Sequence, residues 1–258
     1  MGDIDPIDLS RNLSKSTGLK FPLGNDILED ARLSEKTTEK VMLDLGRHLG
    51  IIHMIKGKMY GLIDPKMVGQ GKLVGLHSSW YEFIIENFQR RFNEMEEVKK
   101  EERRTKKSIT RLSNSNRKIM DEVLLQKKFV LEILEKNKKL IESAPSRFLN
   151  GNIHMGSIIV KKGRFVGFGD FHQPILGDPT DDLAYFSIMP QGEKYLPFVL
   201  RTWKERIKDE NLEEKLHLYR LLESYRKIIK RYVKYRYLED YSEPLRIAQK
   251  ELAHYNKR

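Results

Sequence analysis

Apolar residues recur at helical spacing through most of this chain, and the pattern breaks once, between Ile158 and Phe168. The break reads Ile158-Ile159-Val160, then Lys161-Lys162-Gly163-Arg164, then Phe165-Val166-Gly167-Phe168. Two short apolar runs joined by a glycine-bearing turn predict a β-hairpin. The flanks predict helix. Ser34 stands where a helix N-cap belongs, Glu35 suits the positive first turn, and Val41, Leu45, Leu49 and Ile52 continue to an end near Gly57. A glycine-bearing loop covers Met59 to Ser79. Trp80, Phe83, Ile84, Phe88 and Phe92 then start a second helix behind Ser79. Helical spacing returns at Ile119, Val123, Leu124, Val130, Ile133, Leu134 and Leu140, and again from about Tyr195. The chain is expected to be mainly α with a small β-hairpin.

Residues 1–30, with breakers at Pro6, Gly18, Pro22 and Gly24, read as an irregular N-terminal segment, and residues 31–258 as a helical body. Within that body, a basic helical insertion is expected around 94–118. From Lys99 to Lys118 there are nine Lys or Arg against two Glu, which suits either an exposed helical hairpin or a mobile linker.

Composition removes several function classes. The absence of cysteine excludes disulfides and thiolate zinc sites. No apolar run approaches the roughly 18 residues of a spanning helix, and MGDIDPIDLS lacks the apolar core of a signal peptide. A cytoplasmic location and no membrane role are expected. The net charge of +11 favours anionic partners without naming one. RNA is one candidate, through the basic segment and through Tyr225 to Tyr237, where aromatics interleave with Lys and Arg. The competing reading of that tail is one apolar face, with Tyr225, Ile228, Ile229, Tyr232 and Val233 packed inward.

The loops at the two ends of the hairpin carry the polar residues. Asn150-Gly151-Asn152-Ile153-His154 precedes it, Asp170 follows it, and Gly177-Asp178-Pro179-Thr180-Asp181-Asp182-Leu183-Ala184 reads as a turn opening a helix. A loop before a hairpin and a carboxylate after it meet at one end, so Asn152, His154, Ser157 and Asp170 are expected to be neighbours. Such a cluster suits a magnesium-assisted phosphoryl transfer, while on spacing alone a set of turn-forming Asn and Asp accounts for it more simply.

"NGNIHMGS", "FVGFGDF" and "GDPTDDLA" together resemble the aminoglycoside phosphotransferase and choline kinase-like family, whose fold is protein-kinase-like. That family's pattern runs HGDxHxxN, a hairpin, a strand-end Asp, then GDPxxDLA. "LGRHLGIIHMI" and "YGLIDPKMVGQGK" with "SSWYEFI" resemble its upstream helices and loop, so the likeness extends from about Phe21 to Phe186. It implies the helical C-lobe of a kinase-like fold, with residues 1–30 holding a hinge remnant. The resemblance puts Asn152 at the catalytic Asp position and Asn150 at the motif's first His. It puts Ser157 and Asp170 at the metal-binding positions and retains His154. Asp178 and Asp182 match the acids of the last motif, with loop-supporting roles.

An amide cannot take a proton near neutral pH, so Asn152 implies weak or no phosphotransfer. About twenty residues precede the hinge-like Phe21 to Leu28, too few for the family's nucleotide-clamping lobe, and no nucleotide-binding residue is identified. "GQGKL" lacks the glycine spacing and hydroxyl of a P-loop. The resemblance therefore implies a degenerate member, a pseudokinase or truncated phosphotransferase acting as a binding scaffold. A protein partner or a second copy is expected over the face left by the missing lobe. The alternatives are an active kinase using ATP and Mg²⁺ on a small-molecule hydroxyl, and an RNA-binding module.

Overall fold

The computed structural model describes residues 26–105, 114–169, 175–235 and 242–256. Helix α1, Glu35–Ile52, starts where Ser34 Oγ accepts the Thr37 N–H at 3.3 Å. Its inward stripe is Val41, Met42, Leu45 and Leu49, all fully buried. It stops at Ile52, ahead of Gly57. There the Met54 and Ile55 amides reach back only three residues, to the Ile51 and Ile52 carbonyls, and the turn tightens out of the helix.

Helix α2, Pro65–Val68, is a single turn capped by Asp64. Helix α3, Trp80–Thr105, begins at Ser79, whose Oγ accepts the Glu82 N–H. It does not end where the charged stretch begins. Phe92, Met95 and Val98 stay buried at helical spacing, so the first part of the basic segment is the continuation of α3 rather than a separate insertion. Residues 106–113 lie outside the described part, and α4, Asn114–Leu125, resumes the path. Then come α5, Lys127–Lys136, and α6, Lys138–Glu142. After the hairpin come α7, Pro179–Ile188, α8, Gly192–Trp203, α9, Leu212–Lys230, and α10, Ser242–Tyr255.

The hairpin pairs β5, Ile158–Lys161, with β6, Arg164–Phe168. Its turn residues Lys162 and Gly163 both have positive φ, 47° and 70°, as the tight two-residue hairpin turn requires. The single-hairpin expectation is too small. β1, Asp26–Ile27, adds antiparallel to β5, so the segment expected to be irregular contributes a strand. A second sheet, ordered β3-β2-β7-β4, joins Gly75–His77, Tyr60–Ile63, Ile175–Gly177 and Arg147–Leu149. Each of these strands has three or four residues, too short for a period-two pattern to register in the sequence.

The core has two parts. One gathers α3, α4, α5, α9 and α10 around Trp80, Phe92 and Tyr225, and the other gathers α1, β5 and α8 around Leu45, Ile158 and Trp203. Helix α7 lies at their seam, with Ala184 in the first and Leu183 and Phe186 in the second. In the α1–α8 contact, a Cβ on Gly46 would lie 2.2 Å from the Val199 carbonyl oxygen, and Thr202 Oγ1 donates to the Leu43 carbonyl at 2.6 Å. No described helix is long and apolar enough to cross a membrane. Tyr225 and Tyr232 are buried, at 0% and 1% exposure. These two rings are packed in the core and cannot stack on bases, and Tyr237 of the same tail lies outside the described residues.

Candidate functional site

The loop from Asn150 to Ser157 connects β4 to β5, and a buried carboxylate holds its start. Asp182, on α7, accepts the Asn150 N–H on Oδ2 and the Gly151 N–H on Oδ1, each at 2.8 Å. His53, just past α1, reaches the same Oδ2 through Nε2 at 3.0 Å. The other ring nitrogen, Nδ1, accepts the Trp203 indole N–H at 2.9 Å. An indole N–H only donates, so the imidazole carries its proton on Nε2 and donates to Asp182. Asp182, His53 and Trp203 are fully buried, and helices α1, α7 and α8 thereby fix the first residues of one loop.

The sequence-predicted residues divide by what they touch. Asn150 Oδ1 accepts the Asn152 N–H at 3.0 Å, an Asx turn, and its Nδ2 is buried without a partner among the described residues. Asn152 Oδ1 accepts the Tyr185 hydroxyl at 3.0 Å. His154 Nδ1 accepts the Gly156 N–H at 3.1 Å. Ser157 Oγ accepts the His154 N–H at 2.9 Å and donates to the His154 carbonyl at 2.8 Å, closing a capping box around the turn Met155–Ser157. Gly169 donates to the Ser157 carbonyl at 2.7 Å, which ties the end of the hairpin to the same turn. Asp170 lies outside the described residues.

Asp178 caps α7, with Oδ1 accepting the Thr180 N–H at 3.0 Å. Its Oδ2 accepts from the Tyr219 hydroxyl and pairs with Lys215 Nζ, both at 3.0 Å, and Lys215 also reaches Asp209 at 2.9 Å. Burial opposes the Lys215 charge, but the two carboxylates outweigh it and raise its pKa above the usual lysine value. Tyr219 in turn accepts the Trp80 indole N–H at 3.1 Å.

Beside Asn152 opens a cavity of about 190 Å³. Trp80, Phe83, Ile84, Phe88 and Leu222 give it an apolar floor. Asn152, Tyr185, Asp181, Glu223, Arg91 and Arg226 give it polar walls, and Arg90, Lys227 and Lys230 are also in the lining. Arg226 pairs with Glu223 at 2.5 Å and lies 5.5 Å from the centre of the Tyr185 ring. Asp181 lies beside Glu223 in this wall. Burial, and then the neighbouring Glu223 charge, push the Asp181 carboxyl well above the usual aspartate range. Burial likewise raises Glu223. Burial, with the like charges of Arg226 and Arg90, pushes Arg91 down to about 10.

The sequence reading missed His53 and Trp203 as braces, and Asp181, Tyr185, Glu223, Arg226 and Arg91 as cavity walls. One signal was available. Asp178, Asp181 and Asp182 are spaced three and four apart on one helix, which turns them to neighbouring faces with different surroundings. Nothing local to residues 91 or 226 announces that α3 and α9 meet there.

The described residues do not assemble a magnesium site. The Ser157 hydroxyl is buried and engaged at both its proton and a lone pair, and no group of three or more acidic, histidine or cysteine side chains is arranged for a metal among the described residues.

The sequence matches no family model and no curated protein. Solved structures do match in fold. ADP-bound aminoglycoside phosphotransferase APH(2'')-Ib is 17% identical with a TM-score of 0.50, over 86% of this chain and 64% of that one. The gentamicin–APH(2'')-IIa complex is 16% identical with a TM-score of 0.53, over 96% and 79%. A thermostable mutant of APH(4)-Ia, in its apo form, is 12% identical with a TM-score of 0.54, over 90% and 68%. The chain thus has the kinase-like fold of the aminoglycoside phosphotransferases, and it spans about two thirds of the length of the APH(2'')-Ib chain.

Proposed function

We propose that this chain is a kinase-like phosphotransferase with a degenerate loop, which binds a small hydroxyl-bearing molecule beside Asn152 and transfers phosphate to it weakly or not at all. One observation carries the reading. At the loop position that faces the cavity there is a carboxamide, whose Oδ1 already accepts the Tyr185 hydroxyl. A carboxylate there would take the acceptor's proton, whereas an amide only orients the group it touches. General-base catalysis is worth about 10²–10⁴-fold, while positioning and charge carry the rest of a loose phosphoryl-transfer transition state.

Residues 26–256 are read as the helical lobe alone, and no nucleotide-binding side chain is assigned within them. If the chain is active, ATP would be the phosphoryl donor with Mg²⁺ as its counter-ion, and Asp170, outside the described residues, would be the residue to hold the ion. The fold supports this much, since the neighbour APH(2'')-Ib was solved with ADP. Within the chain's own residues, Asp182 and His53 hold the loop backbone, Asn150 orients Asn152 through its amide, and Tyr185 fixes the Asn152 carboxamide.

The test is ADP release from Mg·ATP with a panel of hydroxyl compounds, for the wild type and Asn152→Asp. A gain of about 10²-fold in the variant supports the degenerate reading. Brisk wild-type turnover that Asn152→Asp does not raise replaces it with a working kinase. Binding of Mg·ATP is followed separately by melting temperature. Ligand at about 100 times its dissociation constant stabilises by about 2.7 kcal/mol.

A further inference from the structure

We infer that the cavity beside Asn152 takes an uncharged alcohol built on a single ring, and turns away both charged compounds of the same shape and alcohols of two or more rings. The role of that hydroxyl as phosphoryl acceptor rests on the proposed function. The size and charge of the occupant rest on the cavity itself.

The cavity holds about 190 Å³. Sites for drug-sized ligands run from about 300 Å³ upward, whereas an apolar cavity of about 150 Å³ is enough for benzene. The space therefore fits one six-membered ring with a hydroxymethyl group. Trp80, Phe83, Ile84, Phe88, Ile175 and Leu222 line it with apolar atoms, and Leu62, 38% exposed, stands where the lining meets solvent. Burying a ring against such a lining is favourable, because it removes apolar surface from water.

The wall carries charge, but in matched amounts. Asp181 and Glu223 stand with Arg91 and Arg226, two acids and two bases. Arg226 pairs with Glu223 at 2.5 Å and also feels the Asp181 charge. Arg91 feels the charges of Glu223 and Glu94. Arg90 is paired with Glu94 at 2.6 Å. Lys227 and Lys230 are both engaged within the chain, Lys227 with Met189 Sδ at 3.1 Å. Arg91 Nε has no hydrogen-bond partner among the described residues, but it is itself buried and gives a ligand nothing to reach. An entering ion would shed its hydration and find no uncompensated counter-charge, a costly exchange that a neutral ring avoids. A hydroxyl, which both donates and accepts, suits the polar pair Asn152 and Tyr185, joined at 3.0 Å in the same lining.

The experiment is ligand-observed NMR titration of the full chain without nucleotide. Benzyl alcohol and cyclohexylmethanol are the fitting rings, benzoate and benzylammonium their charged counterparts, and 2-naphthylmethanol the two-ring alcohol. Leu62→Ala and Phe83→Leu are titrated alongside, with the exposed Lys128→Gln as control, each checked for folding by circular dichroism. Expected is a Kd of about 1 mM or tighter for both single-ring alcohols. Benzoate, benzylammonium and 2-naphthylmethanol should bind at least about tenfold more weakly. Leu62→Ala and Phe83→Leu should each weaken the single-ring alcohols by about threefold or more, and Lys128→Gln should change nothing. Either ion binding as tightly as benzyl alcohol would overturn the charge selection, and 2-naphthylmethanol doing so would overturn the size selection. No binding of the single-ring alcohols, or an affinity indifferent to both cavity variants, would overturn the whole inference. Single-ring alcohol binding with no ADP release by Asn152→Asp would keep this selectivity and discard the kinase reading. ADP release by Asn152→Asp on a charged or larger alcohol, without single-ring binding, would keep the kinase reading and discard this one.

Discussion

Asp181 and Asp182 are adjacent in the chain and opposite in circumstance. Both are buried on α7. Asp182 receives three N–H groups, from Asn150, Gly151 and His53, and the last is itself held by Trp203. Asp181 faces another carboxyl group and a cavity. The first arrangement is closed around the carboxylate, with both Asp182 oxygens and both His53 ring nitrogens matched, and leaves only the Asn150 Nδ2 beside it without a partner among the described residues. The second is open, with a raised carboxyl group and a buried Arg91 Nε that has no hydrogen-bond partner among the described residues. Buried polar groups are normally satisfied, so the closed region reads as scaffold and the open one as a surface shaped for something else.

The largest test of this contrast is Asp182→Ala. It strands two loop amides and the His53 N–H in the core, and should cost about 3–5 kcal/mol, a fall in melting temperature on the order of 10 °C. A loss under about 1 kcal/mol would mean that the brace is not structural. Trp203→Phe removes the donor to His53 Nδ1 and leaves a void where the larger indole packed, and should cost about 2–4 kcal/mol in denaturant unfolding. Tyr185→Phe should cost less, about 0.5–1.5 kcal/mol, because it removes one hydrogen bond to a half-buried amide.

The smallest effect at neutral pH, and the most specific, belongs to Asp181→Asn. A carboxyl group whose pKa is raised by folding binds its proton more tightly in the folded state. Its contribution is therefore fully present below the ordinary value of 3.8 and declines as pH rises above it. Across that rising range the melting temperature of the wild type should fall relative to that of Asp181→Asn. Glu223, raised in the same direction, supplies what slope remains. Identical slopes in the two proteins would show that Asp181 is ionised without penalty, and the open region would lose its distinction from the closed one.

Sequence reasoning reached the features written in consecutive residues. Ser34 does cap α1, Lys162-Gly163 does close the hairpin, and Gly177-Asp178-Pro179 does open a helix. It did not reach β4 and β7, three residues each, whose stability comes from pairing across more than twenty residues of chain rather than from their own pattern. The cavity was illegible for a related reason. Arg91 and Arg226 are more than a hundred residues apart, and each looks like an ordinary basic residue on a helix until α3 and α9 are packed together. The two core partners of Asp182 were hidden in the same way, since His53 and Trp203 come from different helical segments.

The chain has two tryptophans, and each donates its indole N–H to a buried acceptor in a different region. Trp203 belongs to the closed brace. Trp80 forms part of the cavity floor, and its ring lies where a Cβ on Gly177 would intrude at 2.4 Å. The molecule therefore carries its own pair of spectroscopic reporters. In a nitrogen–proton correlation spectrum the two indole signals should appear as separate, slowly exchanging peaks. A compound that fills the cavity should move the Trp80 peak and leave the Trp203 peak in place, whereas partial unfolding from the loop side should broaden the Trp203 peak first. Occupancy and integrity, which a melting curve merges into one number, become two independent readings from one unlabelled-ligand titration.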